Sequence, residues 1–369
     1  MERRRALLAV ALPLTLLLLA GVVLLMRGPP EVVEGANNNN GGEGRAEENE
    51  NEEEGWLQPI ELSDEKGELG AWYVTREGVK EEDARLLVVL HGCGRSAVDW
   101  FVLPEEQAIV RAALDGPFAA VLAVDSRDAL WHCWRPGDPA DTAAVLSAIA
   151  ALTRTVCGPD TRCLAGGTVV LGTSSGGTMA TALLRAPVPH LVGAVALVSP
   201  GDAPTLEALS SSSSSSLAPS SLLPRVAFVH MAGDTVFATP AVVAKHVAAL
   251  NAAQPGTARA FLCAGVRADR AFFAQRVPGV TPAASATLWA VLVDAGLVDA
   301  DTGRATVPAV WDAEAETLRL AERCAARLPA FPWADHAYAL VEELKVLQNV
   351  HETTREHVAE ALAWTLRLE

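Results

Sequence analysis

The sequence predicts an α/β protein in which a mostly parallel central sheet is covered by helices on both faces. Three observations predict it. From Gly55 onward, segments rich in Val, Leu and Ala alternate with segments of helical period. Several of the apolar segments are continuous rather than alternating, as strands buried on both faces are. One of them runs directly into the glycine-flanked turn Gly172-Thr173-Ser174-Ser175-Gly176, which opens onto a helix-compatible run.

Taken in order, Trp56–Val74 has the texture of antiparallel edge strands, and Arg85–Leu90 (RLLVVL) is the clearest buried strand. Further strands are expected at Phe118–Val124, Thr168–Leu171, Val192–Val198, Val226–His230 and Ala258–Cys263. Helices are expected between them near Ala97–Leu114, Thr142–Val156, Gly176–Leu184 and Pro240–Ala252. Two stretches break the rhythm. Ser210–Ser216 is seven consecutive serines and reads as a disordered loop without chemistry. Arg267–Val346 separates the last strand from the final helix, and its apolar helical patches Ala284–Leu292 and Ala313–Ala326 predict an inserted cap or side layer over the site. At the C-terminus, Thr353 and Glu356 have capping-box spacing, and Val358, Ala361, Leu362, Thr365 and Leu366 line one helical face.

The N-terminus is of another kind. Arg3, Arg4 and Arg5 precede Ala6–Met26, an uncharged apolar run of 21 residues with only Arg27 beyond it. That length matches the ~20 residues a helix needs to cross a bilayer. The charge bias holds the N-terminus in the cytoplasm. Residues 1–27 are therefore expected to be a signal-anchor helix, with a single pass placing the rest in a lumen or outside the cell. The rival is a cleaved signal peptide, whose apolar core is normally shorter. Residues 28–55 hold Pro-Pro, four consecutive Asn and the acidic block Glu43–Glu54, with seven Glu against one Arg, and read as a disordered stalk. Residues 56–369 form the predicted folded domain.

Charge and cysteines limit the function classes. A net charge of -16 leaves no basic surface to displace phosphate counterions, so nucleic acid is not an expected partner. Six cysteines without paired C-x-x-C units exclude the usual zinc frameworks. Cys157 and Cys163 bracket a Gly-Pro-Asp turn and could close a small disulfide loop.

The chemistry concentrates at Ser174. A serine on a sharp strand-to-helix turn needs small neighbours, because the backbone crowds itself there, and Gly172 and Gly176 provide them. The turn would expose the hydroxyl at a helix N-terminus, where backbone N–H groups favour developing negative charge.

With this motif in place, residues 56–369 resemble the α/β-hydrolase superfamily, its serine esterases and lipases in particular. His91-Gly92-Cys93-Gly94 after RLLVVL resembles the family's oxyanion loop. The resemblance implies that the Cys93 and Ser175 amides form an oxyanion hole. The HGCG form, Ser96-Ala97 and Cys133-Trp134 are also similar to polyhydroxybutyrate-depolymerase and feruloyl-esterase-like members. Cys93 has two further readings, a small packing residue or a disulfide partner of Cys133, since both would end adjacent strands on one rim.

A nucleophilic serine needs a base, and the base an orienter. His351 directly precedes the terminal helix, and His351-Glu352-Thr353-Thr354 resembles the H-E-x-T/S segment of many esterases. His336 is the alternative base. His91 and His230 read as structural histidines, the latter hydrogen-bonded, and His246 and His357 as helix-surface residues. For the acid, His230-Met231-Ala232-Gly233-Asp234-Thr235-Val236 resembles the family's H-G-x-x-D-x-V loop, with Met231 in place of glycine. Asp202 is the fallback. The order Ser174, Asp234, His351 is the one this fold requires. Trp100, Phe101, Trp131 and Trp134 fall just beyond strand ends, and Trp131 and Trp134 are candidates for a substrate pocket. The expectation is a cofactor-free, metal-free serine esterase acting on a small-molecule ester and held to a membrane by its N-terminal helix. A non-catalytic binding protein, or a peptidase or thioesterase of the same fold, are the alternatives.

Overall fold

The computed structural model describes residues 57–63, 69–76, 84–157, 164, 166–211, 223–306 and 313–368, with side chains from 319 in the last of these. The expected anchor, the stalk, Cys163 and Ser212–Ser216 lie outside the described residues.

Eight strands form one sheet: β1 (Ile60–Leu62), β2 (Ala71–Thr75), β3 (Arg85–Leu90), β4 (Phe118–Val124), β5 (Thr168–Thr173), β6 (Leu191–Leu197), β7 (Arg225–Met231) and β8 (Ala258–Cys263). Their spatial order is β1-β2-β4-β3-β5-β6-β7-β8. Strand β2 is antiparallel to both neighbours, and β4 through β8 and β3 run parallel. The expected strands match to within two residues at each end, and β1 and β2 are the expected antiparallel edge. The chain leaves β3 for β4 on one side and returns to β5 on the other. This reversal opens a crevice at the carboxyl ends of β3 and β5.

Helices cover both faces. On one lie α1 (Asp99–Val102), α2 (Pro104–Asp115) and the terminal helix α11 (Val358–Thr365); Trp100, Phe101, Ile109, Val110, Ala361 and Leu362 pack there against Leu87 and Val89 of β3. On the other lie α3 (Pro139–Cys157), α4 (Ser175–Ala182), α5 (Ala203–Ser211) and α6 (Pro240–Ala253), packing on Leu86, Val88 and Leu90. Alternate residues of β3 thus feed opposite cores, which is why the run shows no polar alternation. Among the described residues, α3 is the one helix long and apolar enough to cross a membrane. Ala144, Val145, Ala148, Ile149 and Leu152 bury its inner stripe in the core.

Two expectations are corrected here. The single helix over Ala97–Leu114 is broken into α1 and α2 at Leu103, which is extended (ψ 143°) because Pro104 cannot accept a helical predecessor. The terminal helix begins at Val358 rather than after a capping box. Thr353 Oγ1 instead bonds Thr173 Oγ1, and Glu356 pairs with Arg276.

The insertion comprises α7 (Phe272–Arg276), α8 (Pro282–Asp294), α9 (Ala313–Arg327) and α10 (Trp333–Gln348). It has an apolar core of its own, with Phe273, Leu288, Val291, Leu292, Leu340 and Leu344 buried together. Ionic contacts join it to the sheet domain. Arg276 of α7 reaches Glu105 of α2 and Glu356, each at 2.8 Å. Arg95, after β3, pairs with Glu342 and Tyr338 of α10.

Candidate active site

Ser174 stands between β5 and α4 with φ 52° and ψ −114°, a conformation uncommon for a residue with a side chain. Its surroundings enforce it. A Cβ on Gly172 would lie 2.1 Å from the Gly176 carbonyl oxygen, and one on Gly176 would lie 2.3 Å from that of Leu90. Only glycine fits at either position. The turn therefore folds tightly against the end of β3, and the Ser174 N–H is fixed by the Leu197 carbonyl at 2.9 Å.

The structure brings Ser174, His351 and Asp234 together. Ser174 Oγ lies 3.0 Å from His351 Nε2, and His351 Nδ1 lies 2.7 Å from Asp234 Oδ2. Asp234 is fully buried in the β7–α6 loop. Its carboxylate accepts backbone N–H bonds from Val236 (3.0 Å), Phe237 (2.9 Å) and Ala238 (3.0 Å). Burial alone would raise its pKa. The His351 bond and the three N–H donors outweigh that and hold it below the usual carboxylate range. A charged Asp234 fixes the imidazole with Nδ1 protonated, leaving Nε2 free to accept. The loops carrying acid and histidine are also tied to each other: Gly233 N–H donates to the Asn349 carbonyl at 3.1 Å. Asn349 is the left-handed residue (φ 56°) that ends α10 two positions before His351.

The loop after β3 lies against this turn, since a Cβ on Gly92 would be 3.7 Å from that of Ser174. His91 is buried, and burial lowers its pKa, so the ring is neutral. Its Nδ1–H donates to the Gly92 carbonyl at 2.7 Å while Nε2 accepts from Ser126 N–H at 3.1 Å. The Gly92 carbonyl and the Cys93 N–H belong to one planar peptide and point in opposite directions. By holding the carbonyl, His91 turns the Cys93 N–H the other way. Cys93 is in a disulfide with Cys133, Cα atoms 4.2 Å apart, and Gly94 N–H bonds the Trp131 carbonyl at 2.9 Å. Cys157 is also disulfide-bonded. Ser175 is the first residue of α4, so its N–H has no intrahelical acceptor.

Other expected residues fall elsewhere. His336 lies in α10 stacked on Phe331, ring centroids 5.0 Å apart, and the hydrogen-bonded chain does not include it. Asp202 caps α5, its Oδ2 accepting Thr205 N–H at 3.0 Å. His230 is buried, and its Nδ1 has no hydrogen-bond partner among the described residues, which corrects the expected bonded histidine. His246 bonds the Pro200 carbonyl at 2.7 Å. His357 is the left-handed residue preceding α11, near Glu360. Trp134 is buried against the His91 ring (5.5 Å), and Trp131 is exposed.

A cavity of about 410 Å³ opens beside Ser174, His91 and His351. Its walls include Trp100 and Phe237, whose ring lies 4.7 Å from that of His351. They also include Arg95, Asp99, Glu106, Lys345 and Glu352, but neither Trp131 nor Trp134. Of the insertion, Lys345 alone among the described residues lines it. Sequence reasoning missed this ionic wall. Glu106 sits in the first turn of an apolar helix, where an acid is ordinary, and only its burial distinguishes it. Glu352, adjacent to His351, was the one member with a local cue. No group of His, Cys, Asp and Glu able to hold a metal occurs among the described residues.

No protein-family model and no curated protein matches the chain. Among solved structures it is similar to esterase 2 of Thermogutta terrifontis phosphorylated by paraoxon, at 15% identity over 52% of this chain and 76% of that one, with a TM-score of 0.36. It is also similar to an esterase of Pyrococcus furiosus (14% identity, 56% and 81%, TM-score 0.35). A third likeness is to the acetyl xylan esterase from Aspergillus awamori (15% identity, 53% and 80%, TM-score 0.37). The sheet order with its single reversed strand, the helices on both faces and the sharp β5–α4 turn are those of the α/β-hydrolase fold, and that is the fold of this chain.

Proposed function

We propose that this protein is a serine esterase that cleaves a carboxylic ester through an acyl-enzyme on Ser174. The observation that carries this is the hydrogen-bonded chain from Ser174 Oγ through the His351 ring to buried Asp234. His351 Nε2 takes the Ser174 proton as Oγ attacks the ester carbonyl, and Asp234 stabilises the imidazolium that forms. The Cys93 and Ser175 N–H groups receive the negative charge on the carbonyl oxygen. The proton then passes from His351 to the leaving alcohol. Water, deprotonated by the same Nε2, releases the acid and restores Ser174.

A fluorophosphonate probe should label the wild type stoichiometrically and leave Ser174→Ala unlabelled. Absence of labelling in the wild type, or equal labelling of the variant, would favour a non-catalytic binding protein. A panel of matched esters, thioesters and peptides separates the chemistries, and dominant peptide cleavage would overturn the ester assignment.

The same proposal places residues 1–27 across a membrane and the domain in a lumen or outside the cell. Besides the charge pattern around Ala6–Met26, the Cys93–Cys133 disulfide and disulfide-bonded Cys157 fit an oxidising compartment. Protease added outside intact vesicles should leave the domain protected; its digestion there would refute the orientation.

A further inference from the structure

The cavity beside Ser174 has an unusual charge balance. Two carboxylates of its wall, Glu106 and Glu352, and a third behind it, Glu342, stand around two cations, Arg95 and Lys345. Both cations are committed to Glu342: Arg95 pairs with one oxygen, and Lys345 Nζ lies 3.0 Å from the other. Glu352 accepts the Thr353 N–H at 3.3 Å, and Arg95, at 4.0 Å, is its one ion-pair contact among the described residues. Asp99 adds a fourth carboxylate, already bonded by the Ser96 N–H and hydroxyl. Glu106 lines the cavity, is 9% exposed, and receives no hydrogen bond from another of the described residues. Among the described residues it is the one buried carboxyl of the wall without a donor of its own.

We propose that this wall is a subsite for a positively charged group of the ester, an ammonium held against Glu106 and Glu352 and bounded by Trp100 and Phe237. The inference rests on the esterase reading of Ser174 and adds the class of substrate to it. A cation supplies the charge that Arg95 and Lys345 cannot, and aromatic faces attract the same kind of group. An anionic chain would instead be repelled by Glu352, and a purely apolar one would bury the Glu106 carboxyl without a partner. The protonation of the wall agrees. Burial pushes Glu106 up to about 8 against the opposing charge of Arg95, with Glu342 and Glu352 adding to the rise. Burial and then Glu342 push Glu352 up to about 7, with Lys345 and Arg95 opposing. Burial likewise raises the facing Tyr338. An ammonium beside Glu106 and Glu352 would favour their charged forms and displace these protons.

The test pairs charged and neutral isosteres. Choline and 3,3-dimethylbutyl esters of one acid place the charge on the alcohol. 4-Aminobutyryl and pentanoyl esters of one phenol place it on the acyl group. In one pair, the cationic member is expected to exceed the neutral one in kcat/KM by at least ~10-fold. In Glu106→Gln, and separately in Glu352→Gln, that ratio is expected to fall towards one; being a ratio within one preparation, it is insensitive to partial unfolding. Calorimetric titration of choline or 4-aminobutyrate into Ser174→Ala reads the subsite without turnover. Binding there that is lost on adding Glu106→Gln supports the subsite even if no ester is cleaved, in which case only the esterase reading fails. Cleavage of neutral esters with ratios at or below one in both pairs, together with no ammonium binding, overturns the subsite and leaves the esterase reading intact. Ratios unchanged in both Gln variants overturn it as well.

Discussion

Asp234 shows how one carboxylate can be held charged in a fully buried position: three backbone donors and one imidazole offset its desolvation. On the proposed mechanism, His351→Ala should lower kcat/KM by at least ~10³-fold, since a triad without its base retains only binding and oxyanion stabilisation. His336→Ala should leave it within about twofold, because that ring stacks on Phe331 in α10. Steady-state kinetics of the two variants on one ester check both, and the reverse ranking would exchange their roles. At this scale Ser174, Asp234 and His351 were legible because each follows an element whose period or composition marks it. Glu106, Arg95 and Lys345 were not. Their meeting in one cavity depends on how α2, the loop after β3 and α10 pack, and no local pattern encodes that.

Among elements, the loop after β3 is held at three points: the His91 ring, the Cys93–Cys133 disulfide, and the Gly94–Trp131 backbone bond. Cys93 is exposed, so the disulfide is open to reductants. Reduction under native conditions should lower kcat by roughly 10-fold or more as the Cys93 amide loses its position, with recovery on reoxidation. Cys133→Ala should start at the lowered rate and be indifferent to reductant. A second junction is Glu105, 2% exposed, which binds Arg276 from α7 and the Arg355 backbone N–H at 2.7 Å. Glu105→Ala would leave Arg276 to Glu356 and Glu343 and take from Arg355 the carboxylate it bonds, and should destabilise the fold by about 1–3 kcal/mol, measured by denaturant unfolding. A neutral result would mean that the ionic junction contributes nothing net. The strands were legible almost to the residue, since a fully buried β-run ends where polarity returns. The start of α11 was not: Thr353 and Glu356 have the spacing of a cap, yet their partners Thr173 and Arg276 lie far away in sequence and compete for them.

For the whole molecule, buried ionisable groups pull stability in opposite directions with pH. His91 and His230 are lowered by burial, so below ~6.5 the unfolded chain binds more protons than the native one and stability falls with pH. Asp234, also lowered, adds to this loss only at pH below the usual carboxylate value of ~3.9. Glu106, Glu352 and Glu343 are raised, burial being the first cause for each. Their native forms keep protons that the unfolded chain has released above ~4.3, so they lose stability as pH rises through their folded values. Glu106→Gln removes one such group. Its Tm relative to wild type should therefore become more favourable by a few degrees, roughly, between pH 5 and pH 9. A difference that stays constant across that range in calorimetric scans would show that Glu106 is not held neutral.

The sequence by itself determined the sheet, its covering helices and the sharp turn that carries Ser174, because strand burial, helical period and glycine-flanked turns are local consequences of backbone sterics and apolar spacing. It also carried the order Ser174, Asp234, His351. Tertiary structure alone decided that a 3.0 Å and a 2.7 Å hydrogen bond join those three, that His336 lies outside the chain they form, and that Cys93 is bonded to Cys133. It also decided the character of the cavity. Charges brought together from four segments set it, and their balance exists only once α10 packs beside the loop after β3.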